Sequence, residues 1–300
     1  MKPSPLHSTS SFIITGLLFS MLWASASVAG KIGIQSVEPL LLFNVRFLLA
    51  GTLMLVYAHV FAKKGLPQKR DWKQLLIFGS LNTTLYLGFY IIALKQVSAG
   101  IGSLAPATNP LMIGILSALW MRRKVKAVQW LCIVLGMAGV IIATYPLLQN
   151  STATMQGLGL MLLSMLCYSA GVIYFAETKW NLPSIVINGW QVFIGGILLL
   201  PFTFLMHQKN AVNHFDMKFW GAEGWLIIPV SIISVQLWLY LLKVDAVKAS
   251  LWLFLCPVFG FVYAAILLNE PITLYTVIGT LFVIAGLYLG QRKPPVKTME

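Results

Sequence analysis

Few side chains in this 300-residue sequence could do chemistry away from bulk water, and most fall at helical spacings. Arg46 stands inside an otherwise apolar run, Pro39–Phe61. An arginine at the centre of a membrane helix costs about 3 kcal/mol on translocon scales, so a compensating contact is required. Either Arg46 faces a water-filled cavity and draws in an anionic group, or it pairs with carbonyls or with Asn44 and holds helices together. Asn82, Tyr86 and Tyr90 recur every fourth residue and share one helical face. Buried tyrosine hydroxyls need polar partners, which a ligand cavity or an interhelical seam would supply. Gln236 and Tyr240 form another pair four apart, and Trp252 lies about one turn before Pro257. Asn109 sits between Pro106 and Pro110. The candidate binding residues are therefore Asn82, Tyr86, Tyr90, Asn109, Gln236, Trp252 and Arg46.

The prolines mark where those side chains are displayed. Each removes a backbone hydrogen bond and pushes away the carbonyl four residues earlier. In lipid the freed groups must meet protein or the water of a cavity. Pro106 and Pro110 in one half and Pro257 in the other occupy matching places, a pattern that points to the binding site and gating elements of a repeat-built carrier.

Reactive chemistry is expected to be absent. All eight acids, Glu38, Asp71, Glu177, Asp216, Glu223, Asp245, Glu270 and Glu300, read as loop, helix-end or tail residues. His7, His59, His207 and His214 read the same way. Cys132, Cys167 and Cys256 show no ligand spacing and read as small packing residues. No nucleophile–base set or metal cluster emerges, so no enzyme activity, cofactor or metal is expected. With no acid read at depth, the expectation is facilitated transport or exchange without a carboxylate relay.

The elements that must position these residues are long. The sequence is 58% hydrophobic and 10% charged, with a mean hydropathy of +0.83. Soluble domains carry about 25% charged residues. Ten runs approach the roughly 20 apolar residues that a bilayer-spanning helix needs. They are Phe12–Gly30, Pro39–Phe61, Trp72–Leu94, Gly100–Trp120, Val125–Tyr145, Gln156–Ala176, Pro183–Met206, Gly224–Leu242, Ala246–Leu268 and Ile272–Gly290. The net charge of +13 could suggest nucleic acid, but its distribution argues for a membrane. With the N-terminus in the cytoplasm, 16 of the 21 Lys and Arg fall in inner segments, such as Lys63–Lys73 and Arg122–Lys126. Four fall in outer segments, Lys31, Lys95, Lys209 and Lys218, and Arg46 is the remainder. That asymmetry predicts both termini in the cytoplasm of a bacterial inner membrane. The segment 207–222 is expected to be the longest outer loop, lying on the membrane surface.

One stretch is written twice. Ser20–Val28 returns as Ser164–Val172 with six of nine residues identical, an offset of 144. The same offset carries Pro39 onto Pro183, Asn44 onto Asn188 and Gly51 onto Gly195. A second match, offset 147, carries Ala99 onto Ala246, Ser103 onto Ser250 and Pro110 onto Pro257. This predicts tails at 1–11 and 291–300, a first repeat at 12–145, a linker at 146–155 and a second repeat at 156–290. The Ala24-Ser25-Ala26 triplet imitates a signal-peptide cleavage site. Its recurrence in the second copy argues for a retained helix. Five helices per copy is an odd number, so the second copy enters from the opposite side. The fold expected is all-α and integral to the membrane: ten transmembrane helices as two inverted repeats. Small residues on spans 1 and 6 permit close helix approach. Spans 5 and 10, with Gly136, Gly139, Gly279 and Gly286, read as packing or dimer helices, and a homodimer is left open.

Leu22-Trp23-Ala24 with Lys31, Pro39 followed by Arg46, the two proline breaks, Asn269-Glu270, and Gly279 with Gly286 together resemble the drug/metabolite transporter superfamily, in its EamA branch. The resemblance covers the whole chain. It implies a ten-helix inverted-repeat carrier, generally an exporter of amino acids, related metabolites or toxic compounds. The chain departs from the pattern at Arg122-Arg123, where the first copy lacks the acid that Glu270 supplies in the second, and at Ala24-Ser25.

Inverted repeats yield two structures of nearly equal energy, one open to each side, which is the basis of alternating access. A phosphate site usually recruits several cations. Arg46 is the one cation within a span, so a neutral or zwitterionic small-molecule substrate is expected. The alternatives are a multidrug or toxic-compound efflux carrier and, further off, a channel. The lipid bilayer is the expected partner, and nucleic acid is not.

Overall fold

A computed structural model describes residues 9–94, 96–97, 105–122, 125–148, 153–207, 212–268 and 272–291. His7, Lys95, Ala99, Ser103, Arg123, Lys209, Asn269, Glu270 and Glu300, named above, lie outside these residues.

The described chain is helical. We number the helices α1 (Thr9–Gly33), α2 (Pro39–Phe61), α3 (Lys69–Ala93), α4 (Asn109–Trp120), α5 (Ala127–Leu148), α6 (Met155–Glu177), α7 (Ser184–Met206), α8 (Met217–Val244), α9 (Ala246–Leu268) and α10 (Leu274–Gln291). Among the described residues, nine are long and apolar enough to cross a membrane. The tenth, α4, follows a 3-10 turn at Ala105–Thr108, and the start of the expected span lies outside the described residues. The face where α1 begins is called proximal, and the face where it ends distal.

Local chemistry fixes the helix starts. Pro39 opens α2, where a missing N–H is harmless and its fixed φ suits the helix. Thr154, Asp216 and Asp245 cap α6, α8 and α9 by accepting from the N–H groups of Gly157, Phe219 and Lys248. The Asp71 carboxylate accepts from the Gln68 N–H at the start of α3.

The two halves pack as a duplicated unit would. Across the halves, α2 lies on α7 and α5 on α10. The α3–α6 contact is matched by α8–α1, α4–α6 by α9–α1, and α3–α7 by α8–α2. Exchanging each helix with the one five later leaves this scheme unchanged, as a pseudo-twofold axis requires. Both self-paired contacts depend on glycine. A Cβ at Gly279 would lie 2.3 Å from the Gly139 carbonyl, and one at Gly51 would lie 2.7 Å from the Phe193 Cβ. The glycines of spans 5 and 10 thus pack these helices together within one chain.

Irregular backbone also recurs in register. A π-helical stretch interrupts α3 at Ser80–Leu85 and α8 at Leu226–Ser234. A 3-10 turn precedes α4 at Ala105–Thr108 and interrupts α9 at Leu251–Phe254. The proline breaks predicted from sequence fall at the second pair. Pro106 lies inside its 3-10 turn, and Pro110 occupies the first turn of α4. Pro257 follows its 3-10 turn and clashes with the carbonyl of Leu253 within it. The π-helical pair carries no such mark, although Pro229 lies inside the second member.

Candidate functional site

The π-helical stretch of α3 packs on α7 and that of α8 on α2, either side of the α2–α7 crossing, and polar side chains join there. On α2, the Arg46 Nε donates to the Ser231 hydroxyl of α8 at 2.8 Å. The same serine's carbonyl accepts from Asn188 Nδ2 of α7 at 2.9 Å. Asn188 Oδ1 accepts from Gln191 Nε2 at 3.1 Å. Gln191 Oε1 then accepts from Thr83 Oγ1 at 3.1 Å and from Asn82 Nδ2 at 3.4 Å, both on α3. One buried chain of hydrogen bonds therefore links α2, α8, α7 and α3 across both halves. π-helical turns shift the register of side chains and free backbone groups, and they concentrate at functional sites.

Arg46 is 6% exposed. Its guanidinium lies 5.4 Å from the Phe47 ring and 5.8 Å from the Phe43 ring, both cation–π distances. It is not paired with Asn44, whose amide donates instead to Thr203 of α7. Tyr86 packs in the cluster that holds Phe43 and Phe47, the rings beside Arg46, and stacks obliquely on Tyr168 of α6 at 5.0 Å and on Tyr90 at 6.2 Å. Arg46, Asn82, Tyr86 and Tyr90 thus gather around the α2–α3–α7–α8 centre.

The other three expected residues stand elsewhere. Asn109 Oδ1 accepts from the Ser169 hydroxyl of α6 at 3.3 Å, one residue from Tyr168. Gln236 reaches the Ser184 carbonyl at the proximal start of α7. Trp252 packs on α1, where a Cβ on Gly16 would lie 2.0 Å from its ring. The repeat-equivalent pair is Ala105 facing a cluster that includes Leu160, so bulk moves from the α6 side in one half to the α9 side in the other.

One acid, Glu223, lies within a helix and not at its end. Glu223 was expected at a helix end, because its charge closes the apolar run beginning at Gly224. Asp216 caps α8 earlier, which makes Glu223 the seventh helical residue and 0% exposed. It shares a stripe with Phe219, Leu226 and Val230, which packs on Ala29 of α1 and Leu42 of α2. Neither carboxylate oxygen has a hydrogen-bond partner among the described residues. The segment 207–222 is likewise not one surface loop, since Phe219 and Ala222 are buried within α8.

A cavity of about 310 Å³ opens on the distal face between the α1–α2 connection and the ends of α3 and α7. Its floor includes Val37, Leu40 and Ile91, beneath which Tyr86, Tyr90, Phe43 and Phe47 pack. Its rim is tied by polar bonds between the halves. The Glu38 carboxylate lies 2.6 Å from His207 Nδ1, Ser36 donates to Asp216 at 2.8 Å, and the Glu38 N–H donates to Asn213. The Phe219 N–H and the Ser36 hydroxyl hold the Asp216 carboxyl below its ordinary range. A smaller cavity of about 130 Å³ lies on the proximal face between the ends of α6 and α8.

Comparison with known proteins agrees with this architecture. A solved crystal structure superposes with a TM-score of 0.80 at 18% identity, covering 94% of this chain and 99% of that one, which shows the shared fold. "Uncharacterized transporter sll0355" of Synechocystis is 26% identical, over 92% of this chain and 88% of its own length. "Uncharacterized inner membrane transporter YedA" of Escherichia coli K12 is 26% identical over 94% of both chains. "WAT1-related protein At3g02690, chloroplastic" of Arabidopsis thaliana is 24% identical over 89% of this chain and 66% of that one. The model of the EamA-like transporter family matches twice, over residues 10–145 and 155–290. Both halves of the chain thus carry the family's unit, and the protein belongs to the EamA-like transporters of the drug/metabolite transporter superfamily, as a multi-pass membrane transporter.

Proposed function

We propose that this transporter works by alternating access and moves small neutral or zwitterionic metabolites such as amino acids outward or in exchange. The single observation that carries this reading is the buried polar chain from Arg46 to Asn82, which crosses between the halves and includes residues of the π-helical stretches of α3 and α8. A group bound there touches both repeats, so its binding energy can bias one arrangement of the halves over the other. One guanidinium beside neutral amides and tyrosines suits a substrate of low net charge better than a phosphate, which recruits several cations. Asn82, Tyr86, Tyr90 and Arg46 form the nearer wall of this proposed site. Asn109 adjoins it through Ser169, while Gln236 and Trp252 bear on it through helix packing. Pro106, Pro110 and Pro257 set the breaks around which α4 and α9 would move. We place both termini in the cytoplasm, from the charge asymmetry, in an inner membrane like that named for YedA.

The test is counterflow in proteoliposomes. Vesicles preloaded with the twenty common amino acids should take up a tracer of at least one of them faster than empty vesicles, with saturation. Bilayer recordings should show no unitary conductance. Conductance without saturable, trans-stimulated uptake would replace the carrier with a channel. Counterflow confined to bulky cationic drugs would favour a toxic-compound efflux carrier.

A further inference from the structure

Glu223 is fully buried, and neither of its carboxylate oxygens has a hydrogen-bond partner among the described residues. Leaving an ion in such a place costs several kcal/mol unless an opposite charge and hydrogen bonds meet it. Arg46 faces the same helix as Glu223: it donates to Ser231 of α8, and Leu42, one turn before it, packs on the Phe219–Leu226 stripe that carries Glu223, yet the two side chains do not join. The Nε of Arg46 is held by Ser231, and its terminal nitrogens make no hydrogen bond among the described residues. Two groups that can carry opposite charge, each with unused bonding capacity, thus share the α2–α8 interface between the halves.

We propose that Arg46 and Glu223 bind the two ends of an α-amino acid zwitterion, the guanidinium taking the carboxylate and Glu223 taking the ammonium. This rests on the carrier reading above and names its substrate class. A guanidinium matches a carboxylate through paired N–H donors, and an ionised carboxylate is an acceptor suited to an ammonium's three N–H groups. A zwitterion brings one unit of each sign, so the occupied site stays neutral overall. Phe43, Phe47 and Tyr86 lie around Arg46, which leaves apolar and aromatic surface for a side chain. The site's path to solvent is the distal cavity, where Val37 and Leu41 separate the opening from the Phe219–Leu226 stripe that carries Glu223. The equivalent of Arg46 in the second half is Trp190, so the duplicated unit builds this charged pair once.

The test compares three probe series on the purified full chain by thermal shift and equilibrium binding: L-α-amino acids, their amides, and their des-amino carboxylic acids. At least one amino acid should bind the wild type, with its amide and its des-amino acid each weaker by about 30-fold or more, as losing a buried charged contact implies. Arg46→Gln should weaken the amino acid and leave the amide unchanged. Glu223→Gln should weaken the amino acid and the amide and leave the des-amino acid unchanged. Glu223→Asp, which keeps the charge, should retain the ranking if the glutamine variant does not fold. The wild-type series needs no variant. Equal binding of all three probe types, or no binding by any amino acid, overturns the proposal. Saturable counterflow of other metabolites in the liposome assay would leave the carrier reading standing in either case.

Discussion

The α2–α8 interface and the α7–α3 interface occupy equivalent places in the two halves, yet their chemistry differs. The first holds Arg46, Ser231 and Glu223; the second holds Gln191, Asn82 and Thr83. The first lies toward the distal ends of its helices and the second toward the proximal start of α7. Backbone is duplicated and charge is not. Both interfaces keep a π-helical stretch, so the shape that the axis imposes survives where the side chains have diverged. The difference teaches that packing and recognition answer to separate residues: glycines at the crossings set the fold, and a few polar substitutions decide where an ion can sit.

Breaking the bridge between the two interfaces should have the largest effect. Gln191→Leu strands Asn82, Thr83 and Asn188 at once, and each buried group left unpaired costs about 1–3 kcal/mol. The variant should lose about 3 kcal/mol or more in denaturant unfolding, and a loss under 1 kcal/mol would show that the amides find other partners. The interfaces themselves can then be compared directly. Ser231→Ala removes the acceptor for a charged group and should cost about 1.5–3 kcal/mol, while Thr83→Val removes a neutral bond and should cost about 0.5–1.5 kcal/mol. The reverse order in the same unfolding assay would mean that the charged interface is no tighter than the neutral one.

The smallest effect separates the faces. Asp216 is held below its ordinary value of 3.8 by the Phe219 N–H first and by Ser36 second. Its folded-state value is lowered, so its contribution to stability is complete above that ordinary value. That contribution is lost as pH falls through the lower folded value. Hydrogen exchange at the Phe219 amide should quicken in that acid window, and Asp216→Asn should abolish the dependence. Exchange near Ser184 on the proximal face, which Lys243 holds at 2.8 Å, should not follow the same titration.

Much of the fold was legible in the residues. Ten apolar runs and the Ser20–Val28 repeat specify helices and duplication because lipid demands long apolar spans and because copies keep their packing residues. The proline breaks were legible because proline cannot donate. The π-helical stretches were not: Ser80–Leu85 holds no proline, and Pro229 in Leu226–Ser234 marks a break without specifying its π-helical form. Asn82, Tyr86 and Arg46 could be found by their depth in apolar runs. Gln191 and Ser231 could not be ranked above other polar residues until α2 and α7 were seen to cross. Glu223 was missed because a charge at the edge of an apolar run resembles a helix end. Asp216, seven positions earlier and followed by Phe219, is the capping signal that could have moved the boundary.

The central claim is that two inverted halves move against each other. It is tested most directly by locking their distal rims, with Glu38→Cys and Asn213→Cys in a chain whose Cys132, Cys167 and Cys256 are replaced by alanine. The Glu38 N–H reaches the Asn213 side chain at 2.8 Å, so the two positions are adjacent. Oxidation should stop amino acid counterflow in proteoliposomes and reduction should restore it. Undiminished counterflow through the fully cross-linked protein would contradict the account.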